Sequence, residues 1–298
     1  MSTEEKIKKT EKKRLSRRKI ILLIVAGVVA LMTAAEFVRS NYYIETDNIV
    51  YKSENVPEGF DGAKIVQVSD YHNHGGSYDD RLIEKITEQR PDYIFLTGDI
   101  ADSIQTDIDD AKSFLKKVSK ITDCYLVWGN HDYDISDEQR EEMAQCCEEN
   151  GIIVLENEFT VIERGVDKML LVGTVSGMDS GFVGEMLEDY PEEKLFTVWL
   201  HHYPEDFYEI AETSEAAGSR ADLIFAGHAH GGLIRLPYIL DGLYAPGQGF
   251  FPEYTSGVYQ YGSTRMIVSR GVGNSGYTKR FLDPFHLVVC TLESQSED

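Results

Sequence analysis

Short apolar runs of the kind that form buried strands recur along the chain, and segments with helical periodicity separate several of them. The strand-like runs are residues 64–69, 93–97, 124–128, 196–200 and 223–226. Helical periodicity covers residues 79–89, 108–118 and 137–149, the last with Ser136 as its N-cap and Gly151 after its end. This alternation predicts a layered α/β domain in which helices cover a sheet.

Two further groups of apolar residues predict a second sheet. Residues 159–164 pair with 168–175 in the pattern of a hairpin, and residues 266–269 combine with 286–292 as hairpin or mixed strands. No repeat, low-complexity segment or long linker divides the chain after residue 41. We therefore expect one catalytic domain over residues 41–298, built as a sandwich of two sheets.

Residues 20–38 form the longest apolar run and have about the length that crosses a hydrocarbon core as a helix. A buried core helix should show a polar face, and this segment shows none. Nine basic residues precede it, from Lys6 to Lys19. The positive-inside rule then predicts a cytoplasmic tail over residues 1–19, a single-pass anchor in the cell membrane, and an extracytoplasmic domain.

The same segment also resembles an export signal. Ser16-Arg17-Arg18-Lys19 is similar to a twin-arginine motif, although Ile20 and Ile21 replace the Phe and Leu expected there. Residues 33–35, Thr-Ala-Ala, would serve as a cleavage site. Anchored and cleaved forms therefore both stay open.

The formal net charge is −22, and it is unevenly distributed. Residues 1–40 hold ten Lys/Arg and four Asp/Glu, so the remainder of the chain carries −28. Such a domain repels nucleic acid at long range, and we expect no nucleic-acid partner. The four cysteines lack the spacing of a metal site and predict no disulfide framework.

Polar residues able to bind metals follow each of the five strand-like runs. They are Asp70 and His72, Asp99, Asn130 and His131, His201 and His202, and His228 and His230. The carboxyl ends of parallel strands meet at one edge of a sheet, so these groups should share a crevice. Mixed oxygen and nitrogen donors suit Mn, Fe or Zn better than Ca or Mg. Asp99, on a tight turn after Gly98, has the placement of a carboxylate shared by two ions.

Five motifs in order resemble the calcineurin-like metallophosphoesterase family. They are Asp70-Tyr71-His72, Gly98-Asp99, Gly129-Asn130-His131-Asp132, His202-Tyr203-Pro204 and Gly227-His228-Ala229-His230. The segments 62–70 and 268–273 are similar to the ends of the domain in a bacterial, membrane-anchored branch. The resemblance implies a four-layer sandwich, two mixed β-sheets flanked by helices, preceded by one N-terminal transmembrane or signal helix.

The resemblance also implies roles for these residues. One divalent ion would be held by Asp70, His72, Asp99 and His230. The other would be held by Asp99, Asn130, His202 and His228. His131 would stay unligated and assist the leaving group, with Asp132 orienting it. The implied reaction is in-line attack on a phosphoester by a metal-bridging hydroxide.

Three other polar residues are candidates for supporting or substrate contacts. Strand alternation turns only one of His201 and His202 toward the site, and the family's His-x-Pro spacing selects His202. Asp102 would hydrogen-bond an imidazole or solvate a loop. His74 would touch substrate phosphate or lie in a solvated loop. His286, in the last strand-like run, has the context of a structural histidine.

The sequence predicts hydrolysis of a phosphomonoester or a phosphodiester. An anchored site would suit a lipid-linked or cell-envelope substrate, and the aromatic segment 244–261 would form either an apolar lip or core packing. The alternative is a membrane sensor that binds metal and phosphoester without turnover, or an envelope protein with an inactive relic of the fold; the intact His131 argues against both. A metal-dependent amidohydrolase is a more distant alternative, because the Gly-Asp and Gly-Asn-His turns are not its pattern.

Overall fold

The computed structural model describes residues 16–175, 195–216, 221–236 and 238–295. Residues 1–15 of the predicted basic tail lie outside the described residues. Most of the predicted domain, and every histidine of the chain, lie within them.

The first sheet contains six strands among the described residues. In chain order these are β1 (Ile44–Ser53), β2 (Lys64–Val68), β3 (Tyr93–Thr97), β4 (Asp123–Val127), β5 (Ile153–Val154) and β14 (Phe285–Ser294). Their spatial order is β1-β14-β2-β3-β4-β5. β2 to β5 run parallel, whereas β14 lies antiparallel to β2 and parallel to β1. The sheet is therefore mixed.

The second sheet also has six strands in the part of the chain that is described. They are β6 (Glu158–Arg164), β7 (Asp167–Thr174), β8 (Phe196–His201), β9 (Leu223–Ala226), β12 (Gly257–Tyr261) and β13 (Thr264–Val268), in the spatial order β12-β13-β9-β8-β7-β6. Both edge strands are antiparallel to their neighbours, and the four central strands are parallel. A small hairpin, β10 (Tyr244–Ala245) with β11 (Gly249–Phe250), stands apart from both sheets.

One helix precedes both sheets in the chain, and the other described helices lie between strands and cover the outer faces of the sheets. The helices are α1 (Arg17–Tyr42), α2 (Gly76–Gln89), α3 (Ile108–Val118), α4 (Asn130–Asp134), α5 (Asp137–Glu149) and α6 (Phe207–Ala216). Ser136 caps α5 as predicted, with its side chain accepting from the Gln139 N–H. The predicted helix at 79–89 begins earlier, at Gly76, because the left-handed Gly75 and Gly76 supply a turn that apolar periodicity does not reveal.

Alternation along the parallel strands divides the core into layers. In β3, Ile94 and Leu96 face α2, α3 and α5, whereas Phe95 faces the second sheet. In β9, Phe225 points into the space between the sheets, and Ile224 packs on the α6 side. The order helix, sheet, sheet, helix confirms the predicted four-layer α/β sandwich.

The structure differs from the sequence predictions at two strands, one expected in the other sheet and one not predicted. The run 286–292 was assigned with 266–269 to the second sheet, but β14 lies inside the first sheet, between β1 and β2. Its residues from Phe285 to Cys290 are buried on both faces, so the pattern carries no sign of which sheet they join. β1 was not predicted, because as an edge strand it is mostly polar and only partly buried.

Helix α1 differs from the others because its apolar length packs against none of the other described residues. It is the one described helix long and apolar enough to cross a membrane, with a mean hydropathy of 2.5 and none of that window buried. An anchor and a signal sequence share this property. Within the described part of the chain, its last turn joins the domain, where Ser40 and Asn41 are buried.

Candidate metal centre

Five parallel strands from the two sheets end at one edge of the sandwich. β2, β3 and β4 lead to Asp70, Asp99 and Asn130, while β8 and β9 lead to His202 and His228. Backbone bonds join neighbouring loops within each sheet, from the Asp70 N–H to the Gly98 carbonyl and from the Gly227 N–H to the His202 carbonyl. Between the sheets, the His228 N–H donates to Asp70 Oδ1 at 3.0 Å. The predicted crevice is therefore a junction of both sheets.

One group of four side chains brings its ligand atoms within 4.8 Å of one another: Asp70, His72, Asp99 and His230. The Nε2 atoms of His72 and His230 face each other at 3.3 Å. His230 Nε2 lies 3.7 Å from Asp70 Oδ1, and His72 Nε2 lies 3.7 Å from Asp99 Oδ2. All four residues are buried.

A second group shares Asp99 with the first and adds His202 and His228. Asp99 Oδ2 is 3.3 Å from His202 Nε2, and that nitrogen is 3.2 Å from His228 Nδ1. The same carboxylate oxygen therefore faces imidazoles from both groups. Asp99 Oδ1 instead accepts a hydrogen bond from the His131 N–H at 2.8 Å, which fixes the carboxylate plane.

The backbone at these positions adopts a conformation that non-glycine residues rarely take. Asp70, His72, Asp99, His228 and His230 all have positive φ, between 46° and 64°. Left-handed backbone costs roughly 1–3 kcal/mol per non-glycine residue and persists where the surroundings impose it. Five such residues at one edge indicate that local backbone stability is sacrificed to aim these side chains.

Two glycines allow the turns to approach this closely. A Cβ at Gly129 would lie 2.2 Å from Asp99 Oδ1, and a Cβ at Gly98 would lie 2.6 Å from His202 Nδ1. Gly98 also has a positive φ of 89°. Any side chain at either position would displace the carboxylate or the imidazole, so the Gly-Asp and Gly-Asn turns are steric requirements of this packing.

The donor set fits divalent cations. Asn130 Oδ1 is buried without a hydrogen-bond partner, although a buried amide oxygen normally has one. Asp99 raises the pKa of His202 to about 10 even though burial opposes this, so the group attracts positive charge. Burial, with Asp99 nearby, raises the pKa of Asp70 to about 6. Cations held by these oxygens and imidazoles would replace the protons.

His131 lies beside the first group, and its two ring nitrogens have different partners. The Ser103 N–H donates to Nδ1 at 3.1 Å, which places the proton of a neutral ring on Nε2. Nε2 lies 3.1 Å from the Ser275 hydroxyl. Burial lowers the pKa of His131, but Asp102 and Asp99 outweigh this effect and raise the pKa above its ordinary value.

The predicted supporting residues occupy distinct places. Asp102, not Asp132, lies next to His131, with Oδ1 3.4 Å from Nδ1, so the prediction that Asp132 orients His131 is wrong. Asp132 instead accepts from the N–H groups of Ala101 and Gly129, at 2.8 and 2.9 Å, and thereby joins the two metal-site turns. Burial raises its pKa to about 7, with the Asp99 charge adding to the shift.

His201 and His74 face away from the ligand groups. His201 places Nδ1 2.9 Å from the Thr174 hydroxyl and Nε2 3.0 Å from Asp206 Oδ2, so His202 is the neighbour that enters the site. His74 packs its ring against Tyr78 and Phe285, with centroids 4.2 and 5.4 Å away. It is neither a solvated loop histidine nor a neighbour of the metal-site carboxylates.

Several residues near the site were not predicted. Ser103 and Ser275 contact the two sides of the His131 ring, and Glu205 Oε1 lies 3.9 Å from His228 Nε2. Glu205 follows Pro204 in the fourth motif, which was the one available signal. Arg280, wholly buried, donates to His230 Nδ1 at 3.0 Å from a loop without any recognisable motif.

Arg280 also sets a condition on ion binding by His230. A neutral ring that binds an ion through Nε2 carries a proton on Nδ1, so the guanidinium would then turn away from that nitrogen. The Arg280 guanidinium has other partners. The Gly273 carbonyl already accepts from Nη2 at 2.6 Å, and the Asp283 carboxylate lies 3.9 Å from Nη1, which has no hydrogen bond.

The family model of the calcineurin-like phosphoesterases matches residues 63–232, which include every candidate ligand. The chain belongs to the calcineurin-like phosphoesterase family. It is accordingly a metal-dependent hydrolase of phosphoric esters.

Several known proteins are similar to the chain. YkuE of Bacillus subtilis, called an uncharacterized metallophosphoesterase, is 29% identical over 303 residues, which cover 95% of this chain and 99% of YkuE. The phosphodiesterase YaeI of Escherichia coli is 28% identical over 193 residues, 63% of this chain and 65% of YaeI. The structure of the sulfate thiohydrolase SoxB of Thermus thermophilus shares the fold, with a TM-score of 0.50 and 12% identity over 80% of this chain and 58% of SoxB.

Proposed function

We propose that the enzyme hydrolyses its phosphoester at two divalent ions, Mn, Fe or Zn, that share the Asp99 carboxylate. The observation that carries this proposal is the position of Asp99 Oδ2, 3.7 Å from His72 Nε2 and 3.3 Å from His202 Nε2. One carboxylate oxygen between imidazoles of two ligand groups is the arrangement that a dinuclear site requires.

The first ion would be held by Asp70, His72, Asp99 and His230. The second would be held by Asp99, His202 and His228, with the unpaired Asn130 Oδ1 as a further ligand. Such ions would lower the pKa of a water molecule and neutralise charge on the phosphoryl oxygens. The protein contributes fixed ligand positions, because the left-handed turns and Gly98 leave these side chains little freedom.

His131 is proposed to support departure of the leaving group. Its Nδ1 is held by the Ser103 N–H, so Nε2 carries the proton of the neutral ring. The neutral ring offers the departing oxygen a hydrogen bond from its Nε2–H. Transfer of a proton needs the protonated ring, whose Nδ1–H would turn from the Ser103 N–H to the Asp102 carboxylate, 3.4 Å away. Ser275, 3.1 Å from Nε2, keeps this nitrogen oriented in the absence of substrate.

The membrane setting of the reaction is also a proposal. The exposed apolar helix α1, after a basic N-terminal segment, supports a single-pass anchor with the domain over residues 41–298 outside the cell membrane. A signal that is exported by a twin-arginine route and cleaved is the alternative. A lipid-linked or cell-envelope phosphoester suits the anchored form, and the name of the relative YaeI supports a diester. The charge of −28 over residues 41–298 disfavours nucleic acid.

The test uses the full chain in detergent, stripped of metal and reloaded with Mn²⁺, with bis(p-nitrophenyl) phosphate and p-nitrophenyl phosphate as substrates. Asp99→Asn removes the shared charge, so we expect turnover to fall at least about 100-fold and bound metal to decrease. Asp109→Asn is the matched control, because Asp109 lies on the surface of α3. Two bound ions without turnover on either ester would instead favour the membrane sensor that binds without catalysis.

A further inference from the structure

The segment between the last metal-site motif and β12 exposes large apolar side chains. Tyr238 is fully exposed, Ile239 is 83% exposed, and Phe250 and Phe251 are each 70% exposed. Soluble surfaces rarely collect such residues without a partner. Tyr238 and Phe251 also have positive φ, 67° and 58°, which is unusual for bulky residues and indicates a backbone held so as to display them. We call the described residues of 234–251 the aromatic hairpin.

The aromatic hairpin is joined through one segment to the end of helix α1. The Arg235 N–H donates to the Phe281 carbonyl, and the Phe281 N–H donates to the Leu233 carbonyl. On its other side, residue 280 is held by Asn41, whose Oδ1 accepts from the Arg280 N–H at 3.1 Å and whose Nδ2 donates to the Arg280 carbonyl at 2.9 Å. The Ser40 hydroxyl accepts from the Asp283 N–H. The hairpin therefore lies one backbone segment away from the apolar helix.

The groups around the helix end have the chemistry of a membrane–water interface. Tyr42 and Tyr43 are about half exposed at the end of α1, and Tyr277 is exposed on the segment that Asn41 holds. Lys85 lies over the Tyr43 ring, and Arg81 donates to the Tyr42 carbonyl. Aromatic residues with neighbouring basic groups are typical of the headgroup layer, where the basic groups attract anionic lipids.

We propose that the aromatic hairpin inserts into the surface of the same bilayer that α1 spans, so that the protein contacts the membrane at two places. Tyr238, Ile239, Phe250 and Phe251 would enter the headgroup and upper acyl layer, as the apolar faces of interfacial elements do. The inference rests on the proposed anchor. It also brings the metal centre to the membrane surface, because His230 contacts Arg280 on the segment between the two membrane contacts.

The region beyond the far end of β1 supplies an exposed control. β1 starts at Ile44, directly after α1, and its ten residues carry the chain roughly 33 Å away. There the Gly59 N–H donates to Asp167, beside the β6–β7 turn that contains Val166. Val166 is 95% exposed, and the proposal keeps it in water.

Tryptophan fluorescence in lipid vesicles tests the proposal with the full chain. The native Trp128 and Trp199 are buried and give a constant background. The variants Phe250→Trp, Ile239→Trp, Val166→Trp and Leu31→Trp are reconstituted into phosphatidylcholine–phosphatidylglycerol vesicles with plain or brominated acyl chains. We expect bromine to quench the added fluorescence of Phe250→Trp and Ile239→Trp about twofold, because interfacial groups reach the acyl boundary, and to leave Val166→Trp unchanged.

The helix variant separates failure of this proposal from failure of the anchor. Quenching of Leu31→Trp without quenching of either hairpin variant would show that α1 is in the bilayer and the hairpin is not. Blue-shifted hairpin emission that is equal in both lipids would mean burial against a second copy, which also overturns the proposal. An unquenched Leu31→Trp would refute the anchor and the hairpin contact together. Fluorescence needs no turnover, so these outcomes are independent of the phosphoesterase assay.

Discussion

The protein buries histidines beside carboxylates in several places, and two of these clusters are built in opposite ways. At the metal centre, His72, His202 and their neighbours direct ring nitrogens at one another and at Asp99. The second cluster contains His286 on β14, with Asp47 and Glu45 on β1 and Arg270 after β13. There His286 Nδ1 accepts from the Arg270 N–H at 3.2 Å, and Arg270 donates to Glu45 at 2.8 Å.

The difference lies in how charge and backbone are balanced. The second cluster pairs the Arg270 cation with the Glu45 anion beside the regular strands β1 and β14, and it borders a cleft of about 280 Å³. The metal centre lacks a cation among its described ligand residues and depends on five left-handed residues. A histidine–carboxylate cluster thus indicates a functional site when its acceptors converge on strained turns, and a structural one when a cation within the cluster already pairs with its carboxylate.

The largest expected effect is stabilisation by metal. Each divalent ion should raise the free energy of unfolding by about 2.7 kcal/mol when its concentration is 100 times its dissociation constant. Two sites would give about 5 kcal/mol. Chemical unfolding of the metal-stripped chain, with and without Mn²⁺, measures this difference. His286→Gln should keep the whole effect, whereas His202→Gln should lose much of it. Equal stabilisation of both variants would mean that the ions bind elsewhere.

The next effect separates catalysis from metal binding at the same edge. His131→Gln keeps a polar side chain of similar reach but cannot donate a proton in the proposed way, so we expect turnover to fall about 100-fold. Metal content should be unchanged, because His131 is outside the proposed ligand set. His201→Gln is the matched control, since His201 bonds Thr174 and Asp206 instead. Unchanged turnover in His131→Gln would assign proton donation to another group.

The clusters also differ in how visible they were in the sequence. The metal-site residues directly follow buried strands, and parallel strands in layered α/β domains bring such positions to one edge. The fold and the crevice could therefore be predicted from Asp70, Asp99 and His228 with their neighbouring apolar runs. The positive φ of these residues was not visible, because aspartate and histidine carry no requirement for that conformation.

Contacts between distant segments account for what sequence patterns missed. Asn41 and Arg280 are 239 positions apart and are joined by backbone and side-chain hydrogen bonds that no periodicity encodes. β14 was placed in the wrong sheet because a strand buried on both faces fits either sheet equally well. Asp102 rather than Asp132 lies beside the His131 ring because the loop after β3, which carries Asp102 and Ser103, contacts that ring, and no local pattern encodes the contact.

The buried end of α1 predicts a smaller effect, on stability. Asn41→Ala would leave the Arg280 N–H and the Asn274 side-chain amide without their common acceptor. An unsatisfied buried donor costs roughly 1–3 kcal/mol, so we expect a loss of about 2 kcal/mol in the free energy of unfolding. Asn48→Ala is the control, because Asn48 is exposed on β1. Equal unfolding free energies for the two variants would show that the α1 end is not integral to the domain.

The smallest effect concerns the pH dependence of stability at the second cluster. Burial lowers the pKa of His286 to about 4, although the Asp47 carboxylate, 3.7 Å from Nε2, opposes this shift. The unfolded histidine titrates near 6.5, so below that pH the unfolded chain binds a proton that the folded chain does not. This contribution to stability is fully present above about pH 6.5 and is lost progressively toward pH 4.

Between pH 7 and pH 5, we expect the free energy of unfolding of wild type to fall by about 1.5 kcal/mol more than that of His286→Gln. Urea unfolding at both pH values measures it, with Arg270, Glu45 and Asp47 unchanged in both proteins. If the free energy of unfolding declined equally in the two proteins, Asp47 and Glu45 would keep His286 protonated in the folded state. The second cluster would then contain a charged histidine paired with these carboxylates, rather than a neutral histidine beside the Arg270–Glu45 ion pair.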